Sequence, residues 1–209
     1  MTQKDSRPWR LGKGLPGAGT GCLRITSGVL RGRLVAAPPG EGTRPLLTRV
    51  RKSLADLLRP RLPGARVLDL FAGSGAIGFE LLSNGAEHCV FNELDGATSR
   101  LIRTTAAHLG VAVEVYNREA LEFLHSTAGG VGPFDVVVVA PPYGLGLQQQ
   151  VLERCNPPVL LTPAGVLVVQ RDVAEPPGRV EPARLVRVDS RTYGRTVFEF
   201  YARTPGVKE

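Results

Sequence analysis

Asp69, the turn Gly73-Ser74-Gly75 and Glu93 are spaced as the parts of a pocket for a nucleoside-containing ligand. Val67 to Leu70 is a short apolar run that reads as a buried parallel strand. It breaks into the glycine turn, and an apolar-periodic helix starts at Ala76. Glycine in such a turn lets the backbone approach a ligand where a Cβ would collide with it. Glu93 closes the next strand, 20 residues after Gly73, where a carboxylate can accept hydrogen bonds from both hydroxyls of a ribose. Gly73-Ser-Gly75-Ala-Ile-Gly78 also matches the dinucleotide fingerprint letter for letter, so a nicotinamide or flavin oxidoreductase is one reading. Asp69 argues against it, because a carboxylate four residues before Gly73 repels a pyrophosphate. It suits a cationic ligand instead, such as the amino group and sulfonium of S-adenosylmethionine. No acid–base residue to face a nicotinamide is evident.

A second buried strand, Phe134 to Val139, runs into Ala140-Pro141-Pro142-Tyr143. This segment resembles the (Asp/Asn/Ser)-Pro-Pro-(Tyr/Phe) motif of methyltransferases that modify exocyclic amino groups of bases. The chain has four Pro-Pro pairs, and Asn156-Pro157-Pro158-Val159 is closer in letters. That segment lacks the aromatic and follows a helical stretch, Leu147 to Cys155, so it reads as a loop before the next strand. Only 140–143 sits at the carboxyl end of a parallel strand, where open α/β sheets bind ligands. An aromatic amino nitrogen is a poor nucleophile, its lone pair being delocalised into the ring. Hydrogen bonds to rigid acceptors localise that pair and aim it. Two prolines fix φ and hold the carbonyls of Ala140 and Pro141 in place, and Tyr143 can stack on an extruded base.

Ahead of this core, Leu23 to Leu34 reads as a hairpin containing Arg24, Arg31, Gly32 and Arg33. Thr43-Arg44-Pro45 follows, then a helix from about Thr48 to Leu58 with Arg49, Arg51 and Lys52. At the far end, Thr192-Tyr193-Gly194-Arg195-Thr196 leads into a last strand ending near Tyr201. With Asp69-Leu-Phe-Ala-Gly-Ser-Gly75 and Pro141-Pro-Tyr143, this order of motifs resembles the RsmD family over residues 22 to about 203. The resemblance implies an S-adenosylmethionine-dependent methyltransferase acting on the exocyclic N2 of a guanine in bacterial 16S rRNA. It implies that Phe71, Ala72, Gly73, Ser74 and Gly75 line the methionine and ribose part of the cofactor, with Asp69 towards its amino group. Glu93 would hold the ribose, Leu94 would pack on adenine, and Glu119-Ala120 would read the adenine edge. Ala140, Pro141, Pro142 and Tyr143 would contact the target base, and Arg24, Arg31, Arg33, Arg44, Arg49, Arg51 and Lys52 the RNA.

The chain departs from the family pattern at three positions. Thr48 and Lys52 stand where carboxylates are usual, and Ala140 stands where an acidic or amide residue is usual. The opening is more basic as a result, and main-chain carbonyls are expected to do part of the work of orienting the base. An N6-adenine methyltransferase on DNA or RNA remains an alternative, because Pro-Pro-Tyr serves both amino groups. A catalytically weakened rRNA-binding homologue is another.

Charge is distributed unevenly around this motif order. Residues 1–64 carry 13 Lys/Arg against 3 Asp/Glu, a balance of +10, while residues 65–209 carry 13 against 16, a balance of −3. An arginine-rich front end on a mildly acidic body is what phosphate recognition rewards. Strands and helices alternate, which argues for a Rossmann-like α/β fold. The expectation is a seven-stranded, mostly parallel sheet with an antiparallel C-terminal edge, plus the small N-terminal hairpin and helix. Residues 1–21 read as a flexible basic tail, 22–64 as an RNA-contacting appendage and 65–209 as the methyltransferase domain. Cys22, Cys89 and Cys155 are odd in number and scattered, as expected of reduced thiols in the cytoplasm. His88, His108 and His125 lack metal-ligand spacing, and no apolar run is long enough for a membrane span. A monomer working on 16S rRNA, the 30S subunit or its assembly intermediate is the expected form, with no metal and no membrane partner.

Overall fold

The computed structural model describes residues 22–37, 48–126, 128–155, 157–180 and 184–204. Its centre is a run of apolar strands buried on both faces. These are β3 (Arg66–Asp69), β4 (His88–Asn92), β6 (Phe134–Val139) and β7 (Leu161–Asp172). Val136 to Val139 are fully closed to solvent, as a parallel strand between two helical layers must be. With β5 (Glu114–Tyr116), β8 (Leu185–Tyr193) and β9 (Thr196–Arg203) they form one sheet in the order β5-β4-β3-β6-β7-β9-β8. The pairs β5–β4, β4–β3, β3–β6 and β6–β7 are parallel, while β9 runs antiparallel to both β7 and β8. The expected sheet and its antiparallel edge are both present. Outer strand β8 is mostly exposed and carries Arg187 and Arg191, charges that discourage pairing with another chain.

Helices α1 (Thr48–Leu58), α2 (Ala76–Ser83) and α3 (Gly96–Leu109) cover one face of this sheet. The other is covered by α4 (Ala120–Ser126) and α6 (Leu147–Arg154), with the short turns α5 (Ala128–Val131) and α7 (Pro157–Leu160). The last of these corrects the loop expected after Asn156: Pro157–Leu160 makes one helical turn before β7. Proline is tolerated in a first turn because the N–H it lacks has no intrahelical partner there. Every residue of α2 is buried. Its Gly78 lies so close to β4 that an added Cβ would stand 2.3 Å from the Phe91 ring, and Phe79 packs on that ring at 5.0 Å between centroids. Asp95 caps α3 by accepting the Thr98 N–H at 2.7 Å, and Gly110 ends it with φ of 71°.

The N-terminal hairpin pairs β1 (Cys22–Arg24) with β2 (Leu34–Ala36) and shares the core of the sheet. Its Ile25 and Val35 join Val50 and Leu54 of α1 in one cluster with Val67 and Phe79. Beneath it, Glu80 of α2 is fully buried and accepts from the backbone and hydroxyl groups of Thr26 and Ser27. Arg51 Nε meets the same carboxylate at 3.2 Å, and Arg51 Nη2 donates to the Arg24 carbonyl at 2.6 Å. Arg51 is 1% exposed, which removes it from the expected RNA-contacting set. Its charge is spent inside the protein, fastening hairpin and α1 to α2.

Candidate functional site

Strand β3 is the switch point of the sheet, because the chain leaves it towards β4 and β5 and then returns to its other side as β6. Its carboxyl end opens into the glycine turn. Ala72 N–H donates to the Asn92 carbonyl, Gly75 N–H to the Ala72 carbonyl, and Gly73 and Gly75 take φ of 52° and 77°. Gly75 then serves as the N-cap of α2. Asp69 is 1% exposed; its Oδ2 accepts the Gly78 N–H at 3.0 Å, and its Oδ1 has no partner. Burial pushes its carboxyl up to about 7; the Gly78 bond opposes this and the nearby Glu93 charge adds to it. A buried carboxyl with an unmet acceptor beside a glycine turn fits a cationic, N–H-bearing ligand such as the methionine end of S-adenosylmethionine.

Glu93 lies across the turn, half-buried. Its Oε2 accepts Gly73 N–H and its Oε1 accepts Asp95 N–H, both at 2.8 Å. Each oxygen keeps a second lone pair, so the carboxylate braces the turn and can still receive hydroxyl donors. Leu94 next to it is 68% exposed, an apolar surface beside a polar grip. Asn117 Nδ2 donates to the carbonyls of Glu93 and Leu94 at 2.8 and 2.7 Å, fixing the backbone of both. Glu119 accepts the Glu122 N–H at 2.8 Å and so begins α4, with Ala120 buried behind it. Phe71 and Ser74 are half-buried, and Ala72 is buried in the turn.

The second loop leaves β6 one strand away, since Asp69 and Val138 are register partners. Neighbouring strands lie about 4.8 Å apart, so the glycine turn and Ala140–Tyr143 emerge side by side. Ala140 is half-buried, Pro141 buried, Pro142 exposed and Tyr143 half-buried. Gln170 Nε2 donates to the Tyr143 hydroxyl at 2.6 Å, and Thr196 Oγ1 lies 3.4 Å from that hydroxyl. Gly144 N–H donates to Glu175 Oε1 at 2.6 Å, and Glu175 Oε2 accepts Asp172 N–H at 2.8 Å. The β7–β9 edge thus braces the loop. Sequence reasoning missed Asn117, Gln170, Glu175 and Thr196. Only Gln170 has a local mark, as the first polar residue after the apolar run Val166 to Val169.

The basic residues divide by position. Arg31, Lys52 and Arg59 line a cleft of about 660 Å³ with Thr26, Ser27 and Asn84. It lies at the C-terminal end of α2, away from Gly75. Lys52 pairs with Asp56 at 2.6 Å, and Arg59 pairs with the same carboxylate. Arg24 is exposed and donates to the Gly32 carbonyl at 2.6 Å, Arg33 donates to the His108 carbonyl at 2.9 Å, and Arg49 is exposed. Arg44 lies outside the described residues. Among the described residues no cluster of His, Cys, Asp and Glu could hold a metal ion, and no helix is long and apolar enough to cross a membrane.

Comparison with known proteins places this geometry. A family profile described as "Conserved hypothetical protein 95" matches residues 23–202. The "Putative rRNA methyltransferase YlbH" of Bacillus subtilis is 32% identical over 184 residues, 87% of this chain and 99% of that protein. The "Ribosomal RNA small subunit methyltransferase D" of Escherichia coli K12 is 32% identical over 187 residues, 89% of this chain and 92% of that protein. A solved structure, "Putative methyltransferase yhhF" from Escherichia coli, superposes with a TM-score of 0.75 at 32% identity, covering 88% of this chain and 98% of its own. The seven-stranded sheet is the class I methyltransferase fold, and the chain belongs to the RsmD family.

Proposed function

We propose that this chain transfers a methyl group from S-adenosylmethionine to the exocyclic N2 of a guanine in 16S rRNA of the small ribosomal subunit. The observation that carries the reading is the pairing of Asp69 with Val138, which sets a cofactor-type turn and a base-type loop on adjacent strands. Relatives named as rRNA methyltransferases over nearly their whole length support the substrate class. The basic cleft at Arg31, Lys52 and Arg59 supports a polyanionic partner.

When bound, S-adenosylmethionine supplies a methyl group made electrophilic by its sulfonium. Asp69, Phe71 to Gly75, Glu93, Leu94, Glu119 and Ala120 would hold it. The carbonyls of Ala140 and Pro141, fixed by the prolines, accept hydrogens of the target amino group and turn its lone pair towards the methyl carbon. Tyr143 stacks on the extruded base. Rate comes mainly from holding the two reactants in line, and water takes the released proton. Residues 22–64 serve as the RNA-contacting appendage of a cytoplasmic monomer, and the substrate is 16S rRNA, the 30S particle or an assembly intermediate.

The deciding experiment incubates the protein with tritiated S-adenosylmethionine and 30S particles lacking base methylation, then maps the label. Label on one guanine N2 is the expected result. Label on adenine N6 would transfer the reading to the alternative acceptor, and no label with intact cofactor binding would leave a silent RNA-binding homologue.

A further inference from the structure

The acceptor missing at position 140 has a replacement one strand away. Val139 of β6 pairs with Val169 of β7, so the next positions in register are Ala140 and Gln170. Side chains alternate along a strand, which puts Gln170 on the face of Val166 and Val168. Ala140 packs against the same apolar cluster. Gln170 is 7% exposed, and its amide is used on one side only. Nε2 holds the Tyr143 hydroxyl at 2.6 Å, whereas Oε1 is buried with no hydrogen-bond partner. Buried amide oxygens are normally satisfied, so an unmet one beside the base-contacting loop marks a place for an incoming N–H donor.

We propose that the Gln170 side-chain amide takes over the work of the residue absent at 140, its Oε1 accepting a hydrogen of the target amino group. The proposal rests on the methyltransferase reading above. The oxygen is closed to water in the free protein, so a base reaches it as the Tyr143 ring moves from its tether onto the face of the base. The amide carbon skeleton is unchanged throughout, and Gln170 moves no proton; it orients the lone pair by taking one of the two amino hydrogens, leaving the other to the main-chain carbonyls of the Ala140–Pro141 loop.

The test compares wild type, Gln170→Leu, Ala140→Asn and the double variant in single-turnover methylation of unmethylated 30S particles. S-adenosylmethionine affinity and thermal unfolding are measured on each. Gln170→Leu should lower the methylation rate about ten- to a hundredfold, the loss of one orienting hydrogen bond, with cofactor affinity unchanged. In the double variant Ala140→Asn should restore at least tenfold over Gln170→Leu alone, a rescue that a purely structural glutamine would not show. Full activity of Gln170→Leu, or no rescue by Ala140→Asn in a folded double variant, overturns the proposal. If Gln170→Leu unfolds, Gln170→Glu keeps the acceptor and the size: it should stay within about tenfold of wild type, and a larger loss with a normal melting curve overturns the proposal too. Wild-type protein that binds cofactor yet labels no RNA would sink the methyltransferase reading itself, and this inference with it.

Discussion

Arg51 of α1 and Glu80 of α2 form an ion pair at 3.2 Å with side chains 1% and 0% exposed. The pair is the join between the N-terminal appendage and the catalytic sheet, because Glu80 also gathers Thr26 and Ser27 from the hairpin turn. Removing one partner strands the other charge in a dry interior, which typically costs about 3–5 kcal/mol. Arg51→Ala should therefore lower the unfolding free energy by roughly that amount in urea titrations. An ordinary surface arginine would give less than about 1 kcal/mol, and that outcome would return Arg51 to the RNA-facing set.

A second prediction concerns pH. Burial raises the Asp69 carboxyl from 3.8 to about 7, so between those values the folded protein holds a proton that the unfolded chain has released. Stability from this group is complete below about pH 4 and is lost as pH rises through 7, on the order of 4 kcal/mol in all. Wild type measured against Asp69→Asn should show that fall between pH 4 and pH 8. Cofactor affinity should move the opposite way. A cationic ligand favours the carboxylate, so below pH 7 binding must expel the proton. Calorimetry should find S-adenosylmethionine bound about tenfold more weakly at pH 6 than at pH 8, with the dependence flattened in Asp69→Asn.

Much of this arrangement was legible in the sequence, and the failures have a common cause. The bounds of α1, the start of α2 and the sheet with its antiparallel edge were readable because apolar periodicity and glycine punctuation act locally. Arg51 misled because a helix rich in Arg and Lys looks solvated from its own sequence. Its partner Glu80 is 29 residues away, and no local pattern links them. Gln170 and Thr196 reach Tyr143 from 27 and 53 residues away, through strand order rather than spacing. Asn156-Pro157-Pro158 read as a loop because prolines punctuate, yet a first helical turn accepts them.

The charged cleft makes a third prediction. Arg31, Lys52 and Arg59 face it, whereas Arg51 is buried. Each lost phosphate contact lowers the slope of log K against log salt by about 0.7–0.9. Arg31→Ala with Lys52→Ala should thus reduce the slope for RNA binding by about 1.4–1.8. Methyl transfer at saturating RNA should be unaltered, since the cleft lies at the opposite end of α2 from the glycine turn. An unchanged slope would mean that the appendage's positive charge is only a solvated face.

Tyr143 supports two uses that separate cleanly. Its ring is the proposed stacking surface for the base, while its hydroxyl is bound to Gln170 Nε2 at 2.6 Å. Stacking of a base on an aromatic ring is worth about 1–3 kcal/mol, so Tyr143→Ala should lower the methylation rate constant on 30S particles roughly five- to 150-fold. Tyr143→Phe keeps the ring and forfeits only the tether, and should remain within a few-fold of wild type. The order of the two variants decides the matter. If phenylalanine were as damaging as alanine, the hydroxyl would be the working group and the ring a mere support. If alanine were fully active, the base would be held by the main-chain carbonyls of Ala140 and Pro141 without any aromatic platform.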